Sequence, residues 1–224
     1  MSSYAFAPLR SLLDFAPLKR STTSMLTQTY TLLAISFALC TLAVCSKAAV
    51  SPNVATVVGM GSLLYILWNK HRAERIADFR AGVLFLFAYC KGIMIQSYII
   101  GMVQVHPDLV FKALVTTSSV FLSFTAGSLI STRREGLYLG GYLFTGTSVL
   151  LLARLLNFSL DVELVAGLFL FCGYLVFDTQ NMIHKAENNG IVDPVVCAAE
   201  LYTDTLAIFL RLLRFMERRR KRKQ

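Results

Sequence analysis

Charge is what this sequence has least of for its length. Only 16% of its residues are Asp, Glu, Lys or Arg, against a hydrophobic share of 55%, and that balance excludes an ordinary soluble domain and points to a membrane protein. Histidine is scarce too: His71, His106 and His184 all fall in expected loops, which leaves a serine protease without its base. The five cysteines, Cys40, Cys45, Cys90, Cys172 and Cys197, are an odd set in or beside apolar runs, without the spacing of a zinc site or a secreted disulfide framework. The Gly-x-Gly-Asp motif of intramembrane aspartyl proteases is missing. No enzyme is expected, and nothing implies a cofactor.

No secretory leader is expected, because Pro8, Asp14, Pro17, Lys19 and Arg20 interrupt the first 24 residues. The expected organisation is a cytosolic segment over residues 1–24, a multi-span helical membrane domain over 25–216 and a basic tail over 217–224. The formal net charge of +9 is concentrated, with eight Lys and Arg between Arg211 and Lys223. That pattern suits a membrane surface. Nucleic acid is not expected, since no soluble module or aromatic-basic interleaving accompanies it.

What the chain does have is seven apolar stretches. A helix crossing ~30 Å of hydrocarbon needs roughly 20 mainly apolar residues, because only a helix satisfies its own backbone there. The stretches run from about Met25 to Ser46, Pro52 to Trp68, Phe79 to Val103, Leu109 to Ile130, Leu137 to Leu156, Val162 to Met182 and Val195 to Met216. The third contains Lys91 and Gln96, which must face protein or water. The fourth is rich in Ser and Thr that can bond back to their own helix. In the fifth, Gly140, Gly141 and Gly146 allow close helix approach. The seventh is interrupted by Glu200, Asp204, Arg211 and Arg214.

Counting Lys and Arg in the loops places the N-terminus in the cytosol, on the side of Lys70, Arg72, Arg75, Arg80, Arg133, Arg134 and Lys185. Seven full crossings then send the basic tail to the other side. Either the last helix crosses against the charge bias, or it is re-entrant and leaves the tail cytosolic.

The carboxylates carry the functional reading. An ionised Asp at a helix centre costs roughly 2.5 to 3.5 kcal/mol on insertion scales, so an acid there has a partner or lines a pathway. Asp178 ends the sixth stretch in Val176-Phe177-Asp178-Thr179-Gln180-Asn181-Met182, and Glu200 and Asp204 share one face of the seventh, with Arg211 near the same stripe. The plain alternatives are an interfacial Asp178 and a salt-bridge ladder on the last helix. The short loop from His184 to Pro194, however, makes the two helices antiparallel and brings Asp178 to the depth of Glu200 or Asp204. Two such carboxylates can share one proton, and releasing it introduces repulsion that biases a two-state opening. The same oxygens offer a weak transit site for calcium. Lys91, in mid-span, is expected to pair with one of the three acids.

At these residues the chain resembles the Bax inhibitor-one family of transmembrane BAX-inhibitor-motif proteins. The match rests on Phe177-Asp178-Thr179-Gln180 with Lys185-Ala186-Glu187, on Leu201-Tyr202-Thr203-Asp204, and on Arg133-Arg134 with Leu137-Tyr138-Leu139-Gly140-Gly141. The resemblance implies an all-α membrane fold, six helices around a central C-terminal one, and a pH-sensitive calcium leak from an intracellular store with an anti-apoptotic role. It assigns Asp178 and Asp204 as the pH sensor and weak calcium site. Glu200, Lys91, Lys70 and Arg211 have supporting places, Lys70 as the nearest match to a basic gate partner. It also implies an endoplasmic-reticulum membrane location and, as partners, calcium, protons, the bilayer and apoptosis-regulating membrane proteins. A proton/calcium exchanger and a non-conducting interaction protein remain alternatives. Lys91 departs from the small polar or apolar residue expected at its place.

Overall fold

The computed structural model describes residues 20–46, 50–69, 77–130, 136–156, 160–187 and 192–222. These form seven helices: α1 (Arg20–Cys45), α2 (Pro52–Trp68), α3 (Ala77–Val105), α4 (Pro107–Ile130), α5 (Gly136–Leu155), α6 (Leu160–Glu187) and α7 (Pro194–Lys221). Each apolar stretch of the sequence is one helix, and α1, α3, α4 and α6 are long and apolar enough to cross a membrane. At 17 residues α2 spans roughly 25 Å.

Proline sets several of the starts. Pro52 follows an extended Ser51. Pro107 opens α4 directly after His106, whose amide still closes the last turn of α3 on the Met102 carbonyl at 2.7 Å. Pro194 opens α7 behind Asp193, whose carboxylate accepts the Val195 amide at 3.0 Å. A fixed φ with no amide to satisfy suits a first helical position, and a side-chain acceptor serves the next free amide.

The helices alternate in direction, so the bundle has two ends. The near end holds the start of α1, the end of α2, the start of α3, the end of α6 and the start of α7. The far end holds the join of α3 to α4, the start of α6 and the end of α7. Buried in the middle, α7 packs on α1, α2, α3, α4 and α6, while α5 lies outside against α6. The expected ring around a central last helix is therefore present with one member displaced. At the centre stands Tyr202, fully buried, its ring 5.0 Å from Phe37 and 5.9 Å from Phe87 and its hydroxyl 3.4 Å from the Ala88 carbonyl.

Close approaches rest on missing side chains. A Cβ on Gly92 would stand 2.5 Å from the Cys40 carbonyl oxygen, so α3 meets the backbone of α1 there. Gly140 and Gly146 do the same for α5 against Phe177 and Leu170, whereas Gly141 faces open space. Gln96 faces protein as expected, donating to the Val44 carbonyl at 3.2 Å. Back-bonding in α4 is only partial: Ser119 bonds Val115 at 2.9 Å, but Thr117, Thr125 and Ser128 are buried without a hydrogen-bond partner.

α7 is unbroken over 28 residues, roughly 42 Å, and it runs the full height of the bundle. It does not stop at Met216: residues 217–221 of the expected tail are its last turn.

Candidate functional site

Asp178 lies in α6 and Asp204 in α7, each roughly 14 Å from the near end of its helix at 1.5 Å per residue. Antiparallel packing brings the two to one depth, close enough for each carboxyl to act on the other electrostatically. Asp204 is 7% exposed, and its Oδ2 has no hydrogen-bond partner. Around the pair the helices close themselves: Thr179 donates to the Leu175 carbonyl and Thr205 to the Leu201 carbonyl, both at 2.7 Å. A carboxylate pair in such a place holds one proton more readily than two negative charges, because each carboxylate loses water and gains a like-charged neighbour.

Asp178, but not Asp204, lines a small cavity of about 90 Å³, together with Asn181, Lys185, Asp193, Cys197 and Glu200. The electrostatic influence of Lys185 reaches Asp178, and that of Glu200 reaches Asp204. Glu200 is exposed, one turn before Asp204 on α7.

Other expected supports lie elsewhere. Among the described residues no ion pair joins Lys91 to Asp178, Glu200 or Asp204. Its ammonium sits 5.5 Å from the centroid of the Phe87 ring, a cation held by a π face. Arg211 lies 4.2 Å from the centroid of Phe171, with Gly167 leaving room for its guanidinium. Lys70, with Arg72 and Arg75, lies outside the described residues. Among the described residues no group of three or more His, Cys, Asp or Glu side chains is placed to hold a metal.

Two residues that the sequence reading passed over complete the near end. Arg80, counted there as a loop charge, is fully buried in the first turn of α3, with Nη2 at 2.5 Å from Asp193 Oδ2 and 3.1 Å from the Ile66 carbonyl. Asp193 is 4% exposed. One guanidinium therefore ties the end of α2 and the start of α3 to the cap of α7. Its Nε and Nη1 have no hydrogen-bond partner. The signal in the sequence was Asp193-Pro194, a cap followed by a first-turn proline.

At the far end the basic tail is engaged. Arg220 donates to both oxygens of Asp108 at 3.1 and 3.0 Å, Arg218 meets Asp161 at 3.4 Å, and Arg222 also donates to Asp161. Glu217 accepts from Tyr98 at 3.0 Å and from Lys221 at 2.6 Å. The starts of α4 and α6 and the end of α3 are thereby tied to the last turns of α7.

Comparison with known proteins finds one family and several relatives. The family described as "Inhibitor of apoptosis-promoting Bax1" matches residues 22–221. Bax inhibitor 1 of Homo sapiens is 30% identical over 230 residues, covering 96% of this chain and 94% of the human one. Bax inhibitor 1 of Arabidopsis thaliana is 36% identical over 144 residues, covering 61% of this chain and 58% of its own. The Drosophila melanogaster protein of the same name is 31% identical over 151 residues, covering 65% of this chain and 61% of its own.

Proposed function

This chain belongs to the Bax inhibitor family of multi-pass membrane proteins, and from that premise we propose that it is a pH-sensitive calcium leak of an intracellular membrane that opposes apoptosis. The observation that carries the reading is the meeting of Asp178 and Asp204 inside the bundle, with Asp204 7% exposed. With one shared proton the pair joins α6 to α7. With none, two like charges repel across the same contact, and the equilibrium moves towards separated helices.

Calcium enters as cargo. Two carboxylates fall short of the six to eight oxygens that a calcium ion takes, and the absence of a third ligand nearby among the described residues suits passage better than storage. Glu200 and Lys185 at the cavity rim set the charge that an ion meets on approach from the near end. The near end is assigned to the cytosol and the membrane to the endoplasmic reticulum; apoptosis-regulating membrane proteins are its partners. No catalytic step belongs to this reading.

Calcium efflux from proteoliposomes across a pH series tests it, with wild type beside Asp178→Asn and Asp204→Asn. Both variants are expected to lose most of the pH dependence, with flux running down the calcium gradient and no obligatory proton counterflow. An unchanged pH profile in both would overturn the gate. Stoichiometric proton movement would replace the leak by an exchanger.

A further inference from the structure

A second cavity, larger than the one beside Asp178, lies away from the carboxylates. It has a volume of about 630 Å³ and is walled by α1 and α4, with α3 and α7 as its floor, and it falls in the size range of sites that take a small organic ligand. On α1, Tyr30, Leu33, Phe37, Cys40 and Val44 form a stripe at helical spacing; on α4, Val110, Leu114, Thr117 and Phe121 form another. Stripes of this kind normally close on each other. Here the backbones of α1 and α4 stay apart, and the helices touch at Tyr30 and Phe121.

The slot has one closed end. Tyr30 and Phe121 meet edge to face with ring centroids 6.4 Å apart, nearer the middle of the bundle. From there to Val44 at the far end, the α1 wall runs roughly 21 Å at 1.5 Å per residue. Ala34, Thr41, Leu114 and Leu122 along its rim are exposed, so the slot opens sideways between two helices that are long and apolar enough to cross the membrane. Its floor is Ile95 and Ile99 of α3 with Leu206 and Phe209 of α7.

We propose that this slot is a lipid site that takes one acyl chain of a bilayer phospholipid lengthwise, its methyl end against Tyr30 and Phe121. The shape argues for a chain: the slot is long, blind at mid-bundle, open at its side and lined almost wholly by hydrocarbon. Roughly 21 Å is most of the ~30 Å hydrocarbon thickness, so a chain that enters from the far leaflet reaches the closed end extended. Water gains little there, since a buried water needs two to four polar partners. The chain would rest on the turn of α7 that follows Asp204, yet the site stands or falls independently of calcium flux.

The test uses the full chain in nanodiscs of phosphatidylcholine in which one acyl chain carries a terminal diazirine, with adducts mapped by mass spectrometry after photolysis. Adducts at Tyr30 and Phe121 are expected to exceed those at Val149 and Phe169, exposed on the outer faces of α5 and α6, by about tenfold, the ratio given by ~1.4 kcal/mol of preference. Filling the mouth with Ala34→Trp and Leu114→Trp should remove that excess and leave the outer adducts unchanged. A second variant, Phe121→Ala, opens the blind end and should move the adducts towards the near end. Equal labelling of slot and outer faces, or an adduct pattern indifferent to Phe121→Ala, overturns the proposal and leaves only annular lipid. Labelling of the slot by free palmitate at the expense of the phospholipid overturns the assigned source.

Discussion

The two ends of α7 are held by opposite kinds of charge contact. At its start a single ion pair, Arg80 with Asp193, is sealed from solvent, with side-chain exposures of 0% and 3%. At its end several pairs tie Arg218, Arg220 and Arg222 to Asp108 and Asp161 at exposures of 30% to 71%. Coulomb attraction at similar distances differs several-fold between such settings, and so does the cost of leaving one partner alone. The near end is therefore a specific joint and the far end a screened, redundant tether. Between them lies a third arrangement, the like-charged Asp178 and Asp204.

The sharpest way to break the comparison is Asp193→Ala. It strands a buried guanidinium and removes the α7 cap, so a loss of about 3 to 5 kcal/mol is expected, read as a large fall in melting temperature in detergent. Arg80→Met with Asp193→Asn should recover much of it, because no net buried charge is left unpaired. Asp204→Asn comes next. It should change stability modestly and flatten the pH profile of calcium efflux. Asp161→Asn breaks two partly exposed ion pairs at the far end, those to Arg218 and Arg222, and should cost less than about 1 kcal/mol. That small effect should vanish in high salt, where surface pairs are screened.

The smallest effect is expected at Glu217. The hydrogen bond from Lys221 holds its carboxyl below its ordinary value, against the opposing pull of partial burial, with further help from Tyr98. A group whose value is depressed on folding contributes fully above the ordinary Glu range near about 4.3 and loses that contribution only as pH falls through the depressed value. Glu217→Gln should therefore leave the efflux profile between about pH 6 and 8 as it is in wild type. If Glu217→Gln flattened the profile and Asp204→Asn did not, pH sensing would belong to the far end, and the contrast drawn here would be reversed.

Much of this was legible in the sequence, for reasons that differ by element. The helices were, because apolar runs bounded by proline and charge leave little choice of structure in a bilayer. The depth of Asp178, level with the Glu200–Asp204 stretch, was, because a short loop between two long helices fixes their relative depth. The Arg80–Asp193 joint was not: Arg80 sits in the first turn of α3 beside a charged loop, and hydropathy cannot separate a charge folded inward from one left in water. The place of Lys91 was not: charge alone points a mid-span amine to an acid, yet Phe87, one turn earlier on its own helix, supplies a π face without any long-range contact. The tail was read as surface charge because its partners, Asp108 and Asp161, are far away in sequence, each in the first turn of another helix.

The central place of α7 has a consequence for how the protein is made. Of the seven helices it leaves the ribosome last, so the other six must wait around an unfilled middle, with the faces that will cover Tyr202, Ile208 and Leu213 turned towards lipid or towards one another. A nascent chain stopped before Pro194 is not a smaller version of this protein but a shell without a centre, and Arg80 would be left in its wall awaiting the carboxylate that arrives with the final helix.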